Sequence, residues 1–404
     1  MEKCIERDRC YYVDWLRVLG MICIFFFHNT RFFDLMDWEV KNKETFLEPT
    51  IFVMFISFWI MPLFFMLAGI GTRFALKTKT TIQYIKDRYW RLVVPYLFGI
   101  FILIPPQRYV ESLSKGKFSG TFFDFLPWYP EHKLLIGNFG FSPVWFGEPG
   151  THLWFLAFLF VFSILAVPVI RYLKNKSGER LIKHLAIVSE KMGGIYLFVV
   201  PLVCVKIALQ PIYPKYSSWA DFTFWFLIFI FGYILFYDQR FVESADRHKY
   251  ISLSIGILLL VLLLVLFIFF LDHLKQWWDH PDYSWGCIFF HAMWTITTWS
   301  WLMFFLGAGK AFLNFQNAWL SKLNEAVMPF YMLHQTIILL IGFQIIQWHM
   351  NAWLKYTVIS SMSFVVIIAI YYLCIMRFNW LRILFGMKPL RGGVISQVSV
   401  EGKN

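Results

Sequence analysis

The chain has 404 residues, of which 59% are hydrophobic, 21% aromatic and only 15% charged, and its mean hydropathy is +0.58. Soluble domains carry about 25% charged residues, so this composition excludes a water-soluble enzyme, a disordered chain and a disulfide-stapled secreted domain. What remains is a polytopic membrane protein, on which the formal charge of +12 reads as topology and not as nucleic-acid binding.

Ten apolar runs are long enough to span a bilayer: 14–33, 51–72, 92–107, 151–170, 193–211, 218–237, 250–271, 286–308, 326–348 and 354–376. They are continuous and not alternating, so they read as helices whose backbone groups bond within the segment. The expected fold is all-α, with about ten transmembrane helices in a single domain over 1–380 and a tail over 381–404. The third run is short and interrupted by Pro105-Pro106, and the loop after it, 108–150, is the longest. With the N-terminus placed inside, the inner segments hold 25 Lys and Arg and the outer segments nine. Both termini are therefore expected in the cytoplasm. The first outer loop agrees, being acidic (Asp34, Asp37, Glu39, Glu44, Glu48). Cys4, Cys10, Cys23, Cys204, Cys287 and Cys374 are scattered, form no CxxC, and read as thiols without a disulfide or metal role.

Ionisable groups inside a bilayer are costly, so they are the first functional candidates. The first run opens Asp14-Trp-Leu-Arg17 and continues ten residues to His28-Asn29. Arg17 and His28 are close to three turns apart, which puts them on one face with an axial separation of about 16 Å. Asp14 lies one turn before Arg17 and can pair with it. A plainer reading has Arg17 snorkelling to the headgroups and His28 bonded to a neighbouring helix. Gly69 and Gly71 near the end of the second run would permit close helix approach. Arg88 and Arg91, one turn apart at the inner rim, form a fork suited to phosphate oxygens, or equally serve as topology anchors. His152 opens the fourth run beside Trp154. His291 lies in the outer half of the eighth run, and His334, with Tyr331 one turn before it, in the inner half of the ninth. Together with Arg17 and His28 these histidines suggest a polar cavity, while each alone suits a hydrogen-bonded core residue. The tryptophans fit an interfacial belt or a sugar site. No HExxH, Walker A or GxSxG motif and no close intramembrane carboxylate pair occurs, so no metal is expected and a histidine-centred site is left.

In this order and context, these residues resemble the membrane-integral acyltransferase 3 family, which includes O-antigen acetylases and glucan succinyltransferases. The features are Tyr12-Val-Asp14-Trp-Leu-Arg17 with ten residues to His28, Phe64-Phe-Met-Leu-Ala-Gly69, Arg88-Tyr-Trp-Arg91 with Pro95, His152-Leu-Trp-Phe-Leu156, and Tyr331-Met-Leu-His334. Ala68 stands where the family usually has Ser. The resemblance covers the whole chain and implies a bacterial inner-membrane enzyme. Such an enzyme moves an acetyl or succinyl group from cytoplasmic acyl-CoA to a hydroxyl of a carbohydrate or glycan. Acyl-CoA is then a donor substrate and no cofactor is expected. By the same resemblance Arg88 and Arg91, with Arg73, hold the phosphates of CoA, and Arg17 lies along the pantetheine. His28 acts as general base, or as a nucleophile forming an acyl-imidazole. Asn29 orients the ring or donates to the oxyanion. His152, Trp154, His291, Tyr331 and His334 line the cavity or meet the acceptor. The competing expectation is a transporter or flippase without covalent chemistry. It would call for intramembrane acids, of which Asp221 is the main one in the later runs.

Overall fold

Every one of the ten apolar runs forms a helix in a computed structural model that describes residues 10–130 and 142–390. The helices are α1 (Tyr11–Thr30), α2 (Leu47–Thr78), α3 (Thr81–Ser114), α4 (Glu148–Leu173), α5 (Gly194–Leu209), α6 (Trp219–Leu235), α7 (Lys249–Phe269), α8 (Trp285–Phe312), α9 (Ala318–Ile345) and α10 (Ala352–Ile375). No strand occurs among the described residues. Seven of these helices are long and apolar enough to cross a membrane by themselves, and the count rises to up to eight if α6 is taken with the helix Gln239–Arg247, bent from it by 105°. The remaining two runs are helical but differ in kind. α5 is shorter, and the middle of α8 is polar, with Thr295, Thr297, Thr298 and Ser300 all buried against neighbouring helices.

The third run is not broken at its prolines, as its sequence suggests. α3 starts at a capping box, in which the Thr80 hydroxyl accepts from the Gln83 N–H and the Gln83 side chain accepts from the Thr80 N–H. It continues through two π-helical stretches, Tyr89–Val93 and Gly99–Leu103. Pro105 and Pro106 then fall in the first turn of the α-helical stretch Ile104–Ser114. Proline is tolerated in a first turn, and the change from π to α geometry just before the pair is where the hydrogen-bond register shifts. Arg88 and Arg91 lie within this continuous helix, one turn apart as their spacing suggests.

α2 and α6 approach backbone to backbone. A Cβ on Gly69 would overlap the carbonyl oxygen of Phe229, and one on Gly232 would overlap that of Met66, which is the close approach small residues permit in lipid. α5 and α6 are joined by a buried pair, Lys206 Nζ to Asp221 Oδ1 at 2.5 Å. The main acidic residue of the later runs is thus neutralised by a structural partner. Past residue 380 the chain stays on the bundle, where Arg382 is buried and pairs with Glu325 at 2.6 Å. The reading of all six cysteines as thiols needs correction at one position. Cys23, Cys204, Cys287 and Cys374 are free, but Cys10 is disulfide-bonded. It occupies the extended N-cap position of α1.

Candidate active site

α1 carries both ends of the site on one face. Near its start, Arg17 Nη1 donates to Asp14 Oδ1 at 2.9 Å and to Asn324 Oδ1 of α9 at 2.9 Å. Asn324 Nδ2 donates in turn to Asp14 Oδ1 at 3.1 Å. The guanidinium is therefore held in a fixed direction, toward the starts of α1 and α9. It lines a cavity of about 370 Å³ enclosed by α1, α2, α3, α4 and α9. Arg88, Arg91 and Lys79 line the same cavity together with Asp87, to which Lys79 is ion-paired. Arg88 is oriented by the Tyr84 ring, 5.0 Å beneath it, and its Nη2 donates to the Thr72 hydroxyl at 3.4 Å. Arg91 sits in the first π stretch of α3. A half-buried and an exposed guanidinium on the wall of one cavity suit a polyanion such as a diphosphate.

One predicted cation is elsewhere. Arg73 does not line the cavity, and its guanidinium lies 4.5 Å from the ring centroid of Tyr237 and 5.8 Å from that of Tyr233. The cavity face of α2 is the stripe Met61, Phe64, Leu67, Ala68, Gly71 and Ala75, leading to Lys79. Residue 73 falls off that stripe by helical periodicity. Ala68, the departure from the family's usual Ser, is on the cavity wall. Nothing approaches within 4 Å of a Cβ on Gly71.

Tyr331 links the cavity to a histidine cluster. Its ring lines the cavity, its hydroxyl donates to the His152 carbonyl at 2.5 Å, and it stacks on His334 with centroids 5.7 Å apart. The rings of His28 and His334 are 5.0 Å apart, and those of His152 and His334 5.2 Å. Three helices distant in sequence thus bring three imidazoles together. Two of their tautomers follow from their neighbours, because a carbonyl oxygen only accepts. His152 Nε2 lies 3.2 Å from the Met332 carbonyl and carries the proton. Its Nδ1 then accepts from Gln107 Nε2 at 3.4 Å and from the Thr151 hydroxyl at 3.3 Å. His334 Nδ1 donates to the Tyr331 carbonyl at 2.5 Å, and its Nε2 is buried without a partner. His28 Nδ1 is also buried without a partner. Thr151 has φ 43°, a strained conformation for a β-branched residue, which fixes the approach of His152 to the cluster.

The rim opposite the basic cavity is the loop between α1 and α2. Fully buried Asp34 braces it, pairing with Arg31 at 2.5 Å and with Lys41 at 2.7 Å. The brace presents Trp38 with its ring centroid 6.0 Å from that of His28. Beside it, Glu39 Oε1 accepts from Gln335 Nε2 at 3.2 Å, and Glu39 Oε2 is buried without a partner. Burial pushes the Glu39 carboxyl up from its ordinary value, against the lowering effect of its backbone hydrogen bond and of Arg108.

Of the other predicted residues, Asn29 is fully buried, with Nδ2 donating to the Phe25 carbonyl at 2.8 Å and Oδ1 unpartnered. Trp154 packs on Trp225 of α6, centroids 4.7 Å apart. His291 lies on α8 against Phe290, in contact with none of the three clustered imidazoles. Gln107, Asn324, Trp38, Glu39 and Lys79 belong to the site and escape the sequence reading. Gln107 and Asn324 carried a usable signal, as amides in or beside an apolar run. Among the described residues no group of three or more His, Cys, Asp or Glu is arranged to hold a metal.

Fold and site together define an integral membrane protein with a basic cavity at one end of α1 and an imidazole cluster at the other. Residues 11–372 match the family described as "Acyltransferase domain", and the chain belongs to this membrane-integral acyltransferase 3 family. It is an acyltransferase. Among curated relatives, the chain is similar to glucans biosynthesis protein C of Escherichia coli O1:K1 and of Escherichia coli strain K12. In both cases it is 25% identical over 415 aligned positions, covering 96% of this chain and 96% of the relative. No solved structure matches the chain.

Proposed function

We propose that this membrane acyltransferase takes an acyl group from cytoplasmic acyl-CoA and delivers it to a hydroxyl of a glucan or related carbohydrate on the far side of the inner membrane. The observation that carries the reading is the single cavity lined by Arg17, Arg88 and Arg91 and reaching Tyr331, which itself touches His152 and His334. In this reading Arg88, Arg91 and Lys79 meet the phosphates of CoA. Arg17 follows the pantetheine arm, and the thioester reaches the level of His28, about 16 Å further along α1. The apolar walls, Met21, Ile24, Phe64 and Leu67 among them, suit a thin methylene chain. Orientation follows the Lys and Arg distribution, which puts the basic cavity on the cytoplasmic side.

His28 is the general base. Its Nε2 takes the acceptor hydroxyl's proton as the oxygen attacks the thioester carbonyl, and later returns it to the departing thiolate of CoA. Asn29 steadies the end of α1 through the Phe25 carbonyl. The glucan acceptor rests on the relatives named above, and Trp38 beside Glu39 supplies an apolar face and a carboxylate of the kind that bind sugars. The test is a titration of acetyl-CoA and succinyl-CoA against purified protein in detergent, comparing wild type, Arg88→Ala/Arg91→Ala and His28→Ala. The reading expects weaker donor binding in the arginine variant only, with transfer lost in His28→Ala. A well-folded wild type that binds neither thioester overturns it. An acyl-imidazole trapped on His28 and seen by mass spectrometry replaces the base by a nucleophile.

A further inference from the structure

The histidine cluster contains one lone pair with a fixed address. His334 Nδ1 spends its proton on the Tyr331 carbonyl, 2.5 Å away, so Nε2 of the neutral ring is an obligate acceptor. That Nε2 is buried and has no partner. The ring next to it, centroid to centroid 5.0 Å, belongs to His28, whose Nδ1 is likewise buried and unpartnered. If Nε2 of His28 is the base, Nδ1 must carry the hydrogen. The other rings against His28 are Phe27 and Trp38, neither of which accepts a hydrogen bond at a nitrogen lone pair. The donor that the base requires and the acceptor that Tyr331 enforces thus lie on neighbouring rings, and both atoms are buried without a partner.

We infer that His334 is the positioning residue of the catalytic base: its Nε2 accepts the Nδ1–H of His28 and thereby fixes the tautomer and ring direction that leave His28 Nε2 free for the acceptor hydroxyl. The inference rests on the reading of His28 as base. In the step itself, the hydroxyl oxygen bonds to the thioester carbon and its proton passes to His28 Nε2. The carbon–sulfur bond then breaks, and the same proton goes to the thiolate. His334 gains and loses no proton. It holds the His28 Nδ1–H throughout, so the imidazolium forms with both N–H groups engaged. His152 stands behind His334 and is locked in the opposite tautomer by Met332 and Gln107, which limits the movement open to the His334 ring.

A double-mutant cycle tests this, using proteoliposomes supplied with succinyl-CoA and glucan oligosaccharides and reading both acyl transfer and release of CoA thiol. His334→Phe keeps a ring and removes the lone pair, and it is expected to lower kcat about 100-fold with KM for the thioester changed less than about threefold. Placed in His28→Ala, the same change is expected to alter the residual rate less than about twofold, because it acts through His28. His334→Gln, whose Oε1 is an acceptor, recovers a good part of the loss. An equal cost in both backgrounds, a wild-type rate for His334→Phe, or equal losses for Phe and Gln each overturns the inference. Where His334→Phe fails to bind acyl-CoA, the cycle runs on His334→Gln and His334→Leu with the same criteria. A fully active His28→Ala sinks the base assignment itself, a result distinct from any obtained at position 334.

Discussion

Tyr331 lines the basic cavity and, through a 2.5 Å hydrogen bond from its hydroxyl, holds the backbone carbonyl of His152. The residue after the strained Thr151 is thereby tied to α9, and the same ring stacks on His334. Tyr331→Phe keeps the stack and loses the tie. A lost buried hydrogen bond of this kind costs about 1–3 kcal/mol, and a base cluster displaced by a fraction of an ångström loses rate steeply. Acyl-CoA binding, followed by titration, is expected to change less than about threefold, because the cations are untouched. Transfer is expected to slow by roughly 10- to 100-fold. Equal losses in binding and transfer would mean that the hydroxyl acts on the donor instead.

The arginines divide into two classes by position. Arg88 and Arg91 face the cavity, whereas Arg73 packs on Tyr237 and Tyr233. Two charge-assisted contacts at about 1.5–3 kcal/mol each make Arg88→Ala/Arg91→Ala raise the Kd for acetyl-CoA by about 100-fold or more. Arg73→Ala is expected to leave that Kd within about threefold while lowering the thermal midpoint, since it removes a cation–π contact and exposes two tyrosine faces. Isothermal titration on the two variants separates the classes. Salt should weaken wild-type binding and barely affect what is left in the double variant.

How far the sequence reaches depends on whether a relationship is local. Arg17 and His28 share a helix, so their common face follows from periodicity alone, and the Asp14 pairing follows with it. The stripe on α2 was also within reach, since Ala68, Gly71 and Ala75 are spaced three and four apart, and it sets Arg73 aside. The meeting of His28, His152 and His334 depends on how α1, α4 and α9 rotate against one another, which no single segment encodes. The π stretches of α3 are equally hidden, because the proline pair read in isolation marks a break. Glu39 counted only toward loop charge and Trp38 not at all, and their placement arises from the Asp34 brace that turns the loop back over the bundle. Trp154 and His291 illustrate the ambiguity of depth alone. An aromatic or imidazole at plausible depth is as readily a packing residue, here against Trp225 and Phe290.

Glu39 gives a pH-dependent signature. Burial raises its carboxyl above the ordinary value of 4.5, with Arg108 and Arg31 acting to lower it and Glu111 to raise it. A carboxyl with a raised native value binds its proton more tightly folded than unfolded. It therefore costs the folded state stability as pH rises from the ordinary value through the raised one, and the cost persists above that window. Below the ordinary value both states are protonated and the cost vanishes. Glu39→Gln removes it, so the variant is expected to melt above wild type near neutrality and to converge with wild type on acidification. If the ionised Oε2 meets the acceptor, the same variant transfers to glucan oligosaccharides more slowly while its acyl-CoA binding is unchanged. Melting curves across pH in detergent, run beside the transfer assay, check both halves. A Glu39→Gln protein less stable than wild type at neutral pH would show the carboxylate to be a net structural asset.

Gly69 and Gly71 are two residues apart and should respond oppositely to the same substitution. A Cβ at Gly69 meets the Phe229 carbonyl oxygen, which belongs to a packed helix and has no rotamer to relieve the overlap, whereas one at Gly71 enters the cavity with nothing within 4 Å. Gly69→Ala must therefore separate α2 from α6, and overpacking of this kind costs about 1–3 kcal/mol or more. The reciprocal contact of Gly232 with Met66 makes the pair mutually dependent, so Gly69→Ala/Gly232→Ala is expected to lose less than the sum of the single changes. Gly71→Ala should fold as well as wild type, or slightly better, given the higher helix propensity of alanine. Its effect should appear in function instead, because a methyl group on the cavity wall narrows the space open to the donor. Thermal unfolding in detergent ranks the stabilities, and acetyl-CoA against succinyl-CoA titration on Gly71→Ala tests whether the wall discriminates by acyl size. A Gly69→Ala protein as stable as wild type would mean that α2 and α6 do not pack backbone to backbone in the membrane.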